Sequence, residues 1–406
     1  MRPVPVAESP AVAEVQGLYG AFSFPEKLLQ KIWLRGDFDG AGALTTDGHQ
    51  VRVLHPGKWN LLGGPDFLGA RLRIGGAGAR EITGDIEVHL RAGDWQAHGH
   101  ARDPAYDHVV LHVVLFPPER DQVTLGADGR VIPVLVLLPL LHRALEEFAG
   151  DEAVEALAQR PASRMVEELG PLARPELEAL LTRHAEMRWR QKVHFARLRL
   201  DRLGWDAACH HAALEILGYR FNRAPMLRVA ARWPLAEWGS GAVTADEALA
   251  AEVETWSVQG VRPANHPRVR LAQYAAWVRA RPDWPTRVRD LARTLPVIEL
   301  DGAATREVRR VHGFTHLRAV LGESVCADAV GGTRFDNLVC DGLLPLIAAR
   351  EGGRLAGLWH HWFPGDLPPA ITGGLRRLAV FDGRARPACH GAAQGLVGWL
   401  IEREAR

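Results

Sequence analysis

Asp66, Glu87 and His89 are the residues whose types and spacing could do chemistry most directly. The first stands in Gly64-Pro65-Asp66-Phe67, the others in Gly84-Asp85-Ile86-Glu87-Val88-His89, with an alternating apolar run between. If the two segments are neighbouring antiparallel strands, the carboxylates come side by side and repel unless a cation sits between them. Mg²⁺ or Mn²⁺, bound by hard oxygen ligands, is the expected ion. It would polarise a scissile phosphate and lower the pKa of an attacking water. Side chains alternate along a strand, so His89 shares a face with Glu87 and could orient or deprotonate that water. Glu26, on a predicted helix, is a further candidate ligand.

A second constellation follows closely. His89, His98, His100, His108 and His112 fall within 24 positions. His98 and His100, with His112 from a later strand, could bind zinc. This reading ranks second, because the spacing is not that of a recognised short zinc motif such as H-E-x-x-H. Two basic groups are candidate nucleic-acid contacts: Lys58 in the segment before Asp66, and Arg188, Arg190, Lys192 and Arg197, with Trp189 and Phe195 interleaved. The net charge of the 406-residue chain is only +1, so any such binding must use a local patch. Only four of the 49 basic residues are lysines, so arginine abundance says little about function.

The elements that must position these residues read as follows. Residues 1–20 look like a flexible lead-in with no signal-peptide pattern. A helix is expected over Phe24 to Leu34, capped by Ser23, with Pro25 in its first turn. Strands are expected over Val51 to Leu54, Phe67 to Ile74, Ile82 to Leu90 and Val109 to Phe116. Gly75-Gly76 marks a hairpin between the second and third. The apolar run Val131 to Leu141 contains two prolines and is too short to span a bilayer, so it reads as a buried strand. Beyond about residue 142 helical patterns dominate, opened by a long helix from Pro175 to about Gly204. The expected division is lead-in 1–20, mixed-sheet domain 21–145 and α-helical domain 146–406. The fold class is α/β (α+β) followed by mainly α-helical. Four scattered cysteines fit free thiols in the cytoplasm, and no membrane partner is expected.

The strings "HPGKWNLLGGPDFLGARLRIG", "GDIEVHLRAGDWQAHGHARDPAYDHVVLHVV", "ALEILGYRFNRAPMLRVAARWPL" and "RFDNLVCDGLLPLI" resemble an uncharacterised bacterial family, domain of unknown function 2851. The order helix, three strands, link, strand, with Asp66…Glu87-x-His89, is also similar to the PD-(D/E)xK nuclease superfamily. That resemblance implies a restriction-endonuclease-like sheet in which Asp66 and Glu87 hold the divalent metal. It departs at His89, where the superfamily usually has lysine. Three functions are therefore in play: a Mg²⁺- or Mn²⁺-dependent nuclease acting on DNA or RNA, a catalytically inactive nuclease-fold protein that binds nucleic acid or acts as a scaffold, and a zinc-dependent hydrolase.

Overall fold

The computed structural model describes residues 12–405 apart from 19, 77, 120–121, 159–162, 220, 253–254, 259–260 and 353. It divides into two compact units between Ala149 and Gly150.

The first unit begins with a hairpin, β1 (Val12–Gly17) and β2 (Gly20–Pro25), in antiparallel register from Val12↔Pro25 to Gly17↔Gly20. The lead-in expectation therefore fails from Val12 onward; residues 1–11 lie outside the described residues. Helix α1 (Glu26–Arg35) follows directly. Ser23 belongs to β2 and does not cap it; Pro25 occupies the N-cap without a side-chain hydrogen bond. An apolar stripe holds the helix in place: Leu28, Leu29, Ile32 and Trp33 are all buried. Truncating Trp33 would cost about 3–5 kcal/mol.

The sheet is built from β3 (Val51–His55), β4 (Lys58–Trp59), β5 (Phe67–Ile74), β6 (Glu81–His89), β7 (Val109–Val114) and β10 (Val134–Val136). A short ribbon of β8 (Thr124–Leu125) and β9 (Val131–Ile132) precedes the last strand. The long path runs β10-β7-β6-β5-β3, with β4 paired to β5. Strand β5 is antiparallel to both β3 and β6, whereas β7 is parallel to β6 and β10 to β7. The mixed sheet is as expected. The run 131–141 departs from expectation: Pro133 splits it into two short strands with different partners, since proline has no N–H to continue a ladder.

Period-two alternation gives β6 and β7 two chemically different faces. Ile86, Val88, Leu111 and Val113 pack with the α1 stripe into one apolar core. Glu87, His89 and His112 belong to the other set, and all three are buried. The crossover between β6 and β7 folds as α2 (Asp94–Ala97) and two 3₁₀ turns, His100–Arg102 and Pro104–Tyr106. Trp95, fully buried, packs with Tyr106, Val109 and Ile132 to fix that link.

The second unit is helical. Helix α3 (Leu145–Ala158) leads into it, followed by α4 (Ser163–Leu169), the 30-residue α5 (Arg174–Leu203) and α6 (Trp205–Leu217). Helix α5 packs against the terminal helix His390–Ala405. Their approach is close enough that a Cβ at Gly395 would lie 2.1 Å from the Leu181 carbonyl oxygen. Pro234 separates the helices Arg223–Arg232 and Leu235–Ser240. Helix Gly332–Asn337 runs through a π-helical stretch over Leu338–Leu343 into helix Leu344–Glu351. Among the described residues no helix is long and apolar enough to cross a membrane.

Candidate metal centre

The loop before β5 is tied down so that Asp66 enters the sheet in one orientation. The Asn60 amide donates to the carbonyls of Gly63 (3.3 Å) and Pro65 (3.0 Å), and Asn60 N–H donates to the Asp66 carbonyl at 2.7 Å. Pairing of Phe67 with Ile86 then sets Asp66 beside Glu87. The two are laced together through backbone. Asp66 N–H donates to Glu87 Oε2 at 3.0 Å, and Val88 N–H donates to Asp66 Oδ2 at 3.1 Å. Asp66 Oδ1 accepts from Gln30 Nε2 of α1 at 2.7 Å. Each carboxylate thus accepts a backbone N–H from the other's segment.

Glu26 joins them from the first turn of α1. It is buried, and its Oε2 has no hydrogen-bond partner among the described residues. Burial, then the charges of Asp66, Glu87 and Asp94, push its pKa up to about 8. Without a cation this carboxyl is protonated at neutral pH, and a cation beside it would pull the value back down.

The other oxygen of Glu87 faces histidine. Glu87 Oε1 lies 3.4 Å from His89 Nε2 and 3.4 Å from His100 Nε2. His89 Nε2 is in turn 3.2 Å from His98 Nδ1 and 3.3 Å from His100 Nε2. His89, His98 and His100 form the one group of three among the described residues whose ligand atoms all lie within 4.8 Å of one another. Gly99 makes this possible. Its φ of +76°, accessible to glycine, turns the chain between α2 and the next 3₁₀ turn, so that flanking histidines both face His89. Tyr106 stacks on His100 with ring centroids 3.8 Å apart, and Trp95 meets the same ring edge-on.

His112, expected as a ligand with His98 and His100, takes a different place. Parallel register sets it opposite Glu87, and its Nε2 contacts His89 Nδ1 at 2.9 Å while its Nδ1 contacts Thr124 Oγ1 at 2.9 Å. It stands behind His89, which takes its place in the three-histidine group. Burial, then neighbouring histidines, hold His89 well below the ordinary imidazole pKa, and the same causes bring His112 to about 3. These rings are neutral at pH 7, the state in which imidazole binds metal. His108 lies exposed outside the cluster.

The basic candidates are dispersed. Lys58 is exposed on β4 opposite Leu68. Lys192 Nζ is 2.7 Å from Asp341 Oδ1, and Arg188 donates to Gln191 (3.3 Å) and Gln394 (3.4 Å). Arg190 and Arg197 are exposed on α5. Trp189 is buried against Trp359, in the core and not on a binding face. The basic segment of α5 is thus partly consumed by contacts within the second unit.

A mixed sheet carrying a histidine–carboxylate centre, followed by a mainly helical region, defines the class of this protein. The chain belongs to the family of proteins of unknown function DUF2851, which matches residues 26–251. That span includes Glu26, Asp66, Glu87 and every histidine of the cluster. No curated protein and no solved structure matches the chain.

Proposed function

We propose that the first unit is a metal-dependent hydrolase whose substrate class is the phosphodiester of DNA or RNA. The observation that carries the reading is the convergence of Glu26, Asp66, Glu87 and His89 at adjoining ends of α1, β5 and β6. The order of α1, four strands β3 to β6 (β4 only two residues long), a short helical link and β7, with β6 and β7 parallel, supports the nuclease form of this reading. A bound metal ion would activate a water and polarise the phosphoryl oxygen. Asp66 holds the Val88 backbone in register, Gln30 steadies Asp66, and Glu26 places a further carboxyl beside the reacting region. His98, less buried than His89 and His100, marks the side open to substrate. Of the four basic candidates on α5, Arg190 and Arg197 are the exposed ones and would contact phosphates. A cytoplasmic setting belongs to the same reading, and the four buried free thiols suit a reducing compartment.

The test is cleavage of single- and double-stranded DNA and RNA with Zn²⁺, Mn²⁺ or Mg²⁺ supplied in turn. The double variant Asp66→Ala plus Glu87→Ala should lose cleavage entirely. Activity that survives both substitutions removes the site from the reaction, and metal-independent, salt-sensitive binding without cleavage would select the non-catalytic alternative.

A further inference from the structure

The nuclease resemblance implies Mg²⁺ or Mn²⁺ held by carboxylates, and the donor set does not fit that expectation. Mg²⁺ takes an octahedral shell of oxygens, and Mn²⁺ likewise prefers carboxylate, carbonyl and water. Here Glu87 Oε1 faces two imidazole nitrogens, and a third completes the group. Imidazole suits zinc and its late first-row neighbours. We infer that His89 Nε2, His98 Nδ1 and His100 Nε2 bind one zinc-class transition-metal ion, with Glu87 Oε1 as the adjoining oxygen donor.

Spacing is the first argument. Two nitrogens bound to one tetrahedral ion at ~2.0–2.1 Å stand about 3.3–3.4 Å apart. The separations from His89 Nε2 to His98, His100 and Glu87 are 3.2, 3.3 and 3.4 Å, and from His100 to Glu87 3.4 Å.

Hydrogen bonding is the second. His89 Nε2 has either one hydrogen or one lone pair, yet it faces three polar atoms at these distances. One hydrogen can serve only one of them. A cation serves all of them together.

Orientation is the third. If His112 Nδ1–H donates to Thr124 Oγ1, His112 Nε2 accepts from His89 Nδ1–H. That tautomer leaves the lone pair of His89 Nε2 pointing at the group. A ligand histidine is commonly oriented by a partner on its other nitrogen, and the His89–His112–Thr124 chain supplies one. His112 is therefore a positioning residue.

This inference concerns metal binding and stands whether or not the hydrolase reading holds. The full chain, purified without a histidine tag and dialysed against Zn²⁺-containing buffer, is analysed by plasma mass spectrometry. About one equivalent per chain is expected. Replacing Zn²⁺ with Co²⁺ should give the intense visible absorption of a low-coordinate site with nitrogen ligands. The double variant His98→Ala plus His100→Ala lies on the crossover link, outside the sheet. It should lose affinity by more than the 10–100-fold typical of an outer partner, with near-native circular dichroism. His98→Cys should restore binding, since thiolate is also a zinc ligand, and His108→Ala should leave it unchanged. Metal-free wild type after Zn²⁺ loading, or full occupancy in the double variant, would overturn the inference. Bound zinc without phosphodiester cleavage would uphold this inference while ending the hydrolase proposal.

Discussion

Both units bury histidines, but they bury them differently. In the first unit His89, His98 and His100 turn ring nitrogens toward each other and toward Glu87. In the second, His210 faces the Tyr274 hydroxyl and the Trp233 carbonyl, His361 faces Thr305, and His184 faces Glu402. His390 lies edge-on to Trp359. His210, His361 and His184 meet local donors or acceptors and His390 packs as a ring with neither nitrogen hydrogen-bonded; among the described residues they form no three-ligand group. Burial of histidine alone does not indicate a metal. Convergence of several donor atoms on one ring nitrogen does, because that nitrogen, with one hydrogen or one lone pair, cannot pair with three polar atoms at once.

The contrast can be broken or sharpened by a graded set of substitutions. The largest effect is expected at His89→Ala, which removes a ligand at the centre of the group. Zinc affinity, measured by competition with a chromogenic chelator, should fall by well over 100-fold, beyond the range of outer partners. His210→Ala should leave affinity unchanged although that ring is equally buried. His112→Ala should fall between them, about 10–100-fold weaker in binding. Equal effects at His112 and His89 would make His112 a ligand and redraw the site.

Lys192→Met tests the second unit in its own terms. Asp341 accepts hydrogen bonds from Lys192 (2.7 Å) and Asn337 (2.9 Å). Burial works to raise the Asp341 pKa, but Lys192, His390 and these hydrogen bonds outweigh it and hold the carboxyl below its ordinary range. Loss of the lysine should destabilise the protein by about 1.5–3 kcal/mol in denaturant titration, with metal content unchanged.

Acid should act on the second unit in one direction. Burial brings His210 and His360 to about 4, and His361 and His390 to about 3. The unfolded chain takes up those protons near 6.5, the folded chain only at the lower values, so stability rises with pH across that window. Melting temperature should therefore fall steadily as pH drops from about 6.5 toward 4. The zinc-dependent gain in melting temperature should shrink over the same acid range, because protons compete for the ligands. The smallest effect is expected at Arg190→Ala. That residue is exposed and lies 4.0 Å from Glu186, so stability should change by less than about 0.5 kcal/mol. If α5 grips nucleic acid, the salt slope of binding should drop by roughly one.

The hairpin that brings the segments of Asp66 and Glu87 together was legible in the sequence from its glycines; the register shift between Phe67 and Ala70, without which Asp66 would stand opposite Val88, was not. The identity of the third imidazole was not. His112 and His89 sit on parallel strands joined by a crossover, and no local signal reveals parallel register. The basic face of α5 was legible as composition only, since its partners Asp341 and Glu215 come from distant segments. The β1–β2 hairpin was missed because Gly17-Leu18-Tyr19-Gly20 lacks the Asn-Gly or Asp-Gly signature of a tight turn. Glu26 was legible as a candidate ligand only by its type and its place on a helix; the packing of α1 on the sheet shows that it is buried beside two other carboxylates.

The central claim is that convergence in the first unit makes a metal site and dispersed burial in the second does not. Zinc-edge anomalous diffraction from crystals of the zinc-loaded protein tests it most directly. One strong peak is expected ~2.0–2.1 Å from His89 Nε2, His98 Nδ1 and His100 Nε2, beside Glu87 Oε1. A peak among the second unit's histidines, one coordinated by the carboxylates of Asp66 and Glu26 alone, or no ordered peak would contradict it.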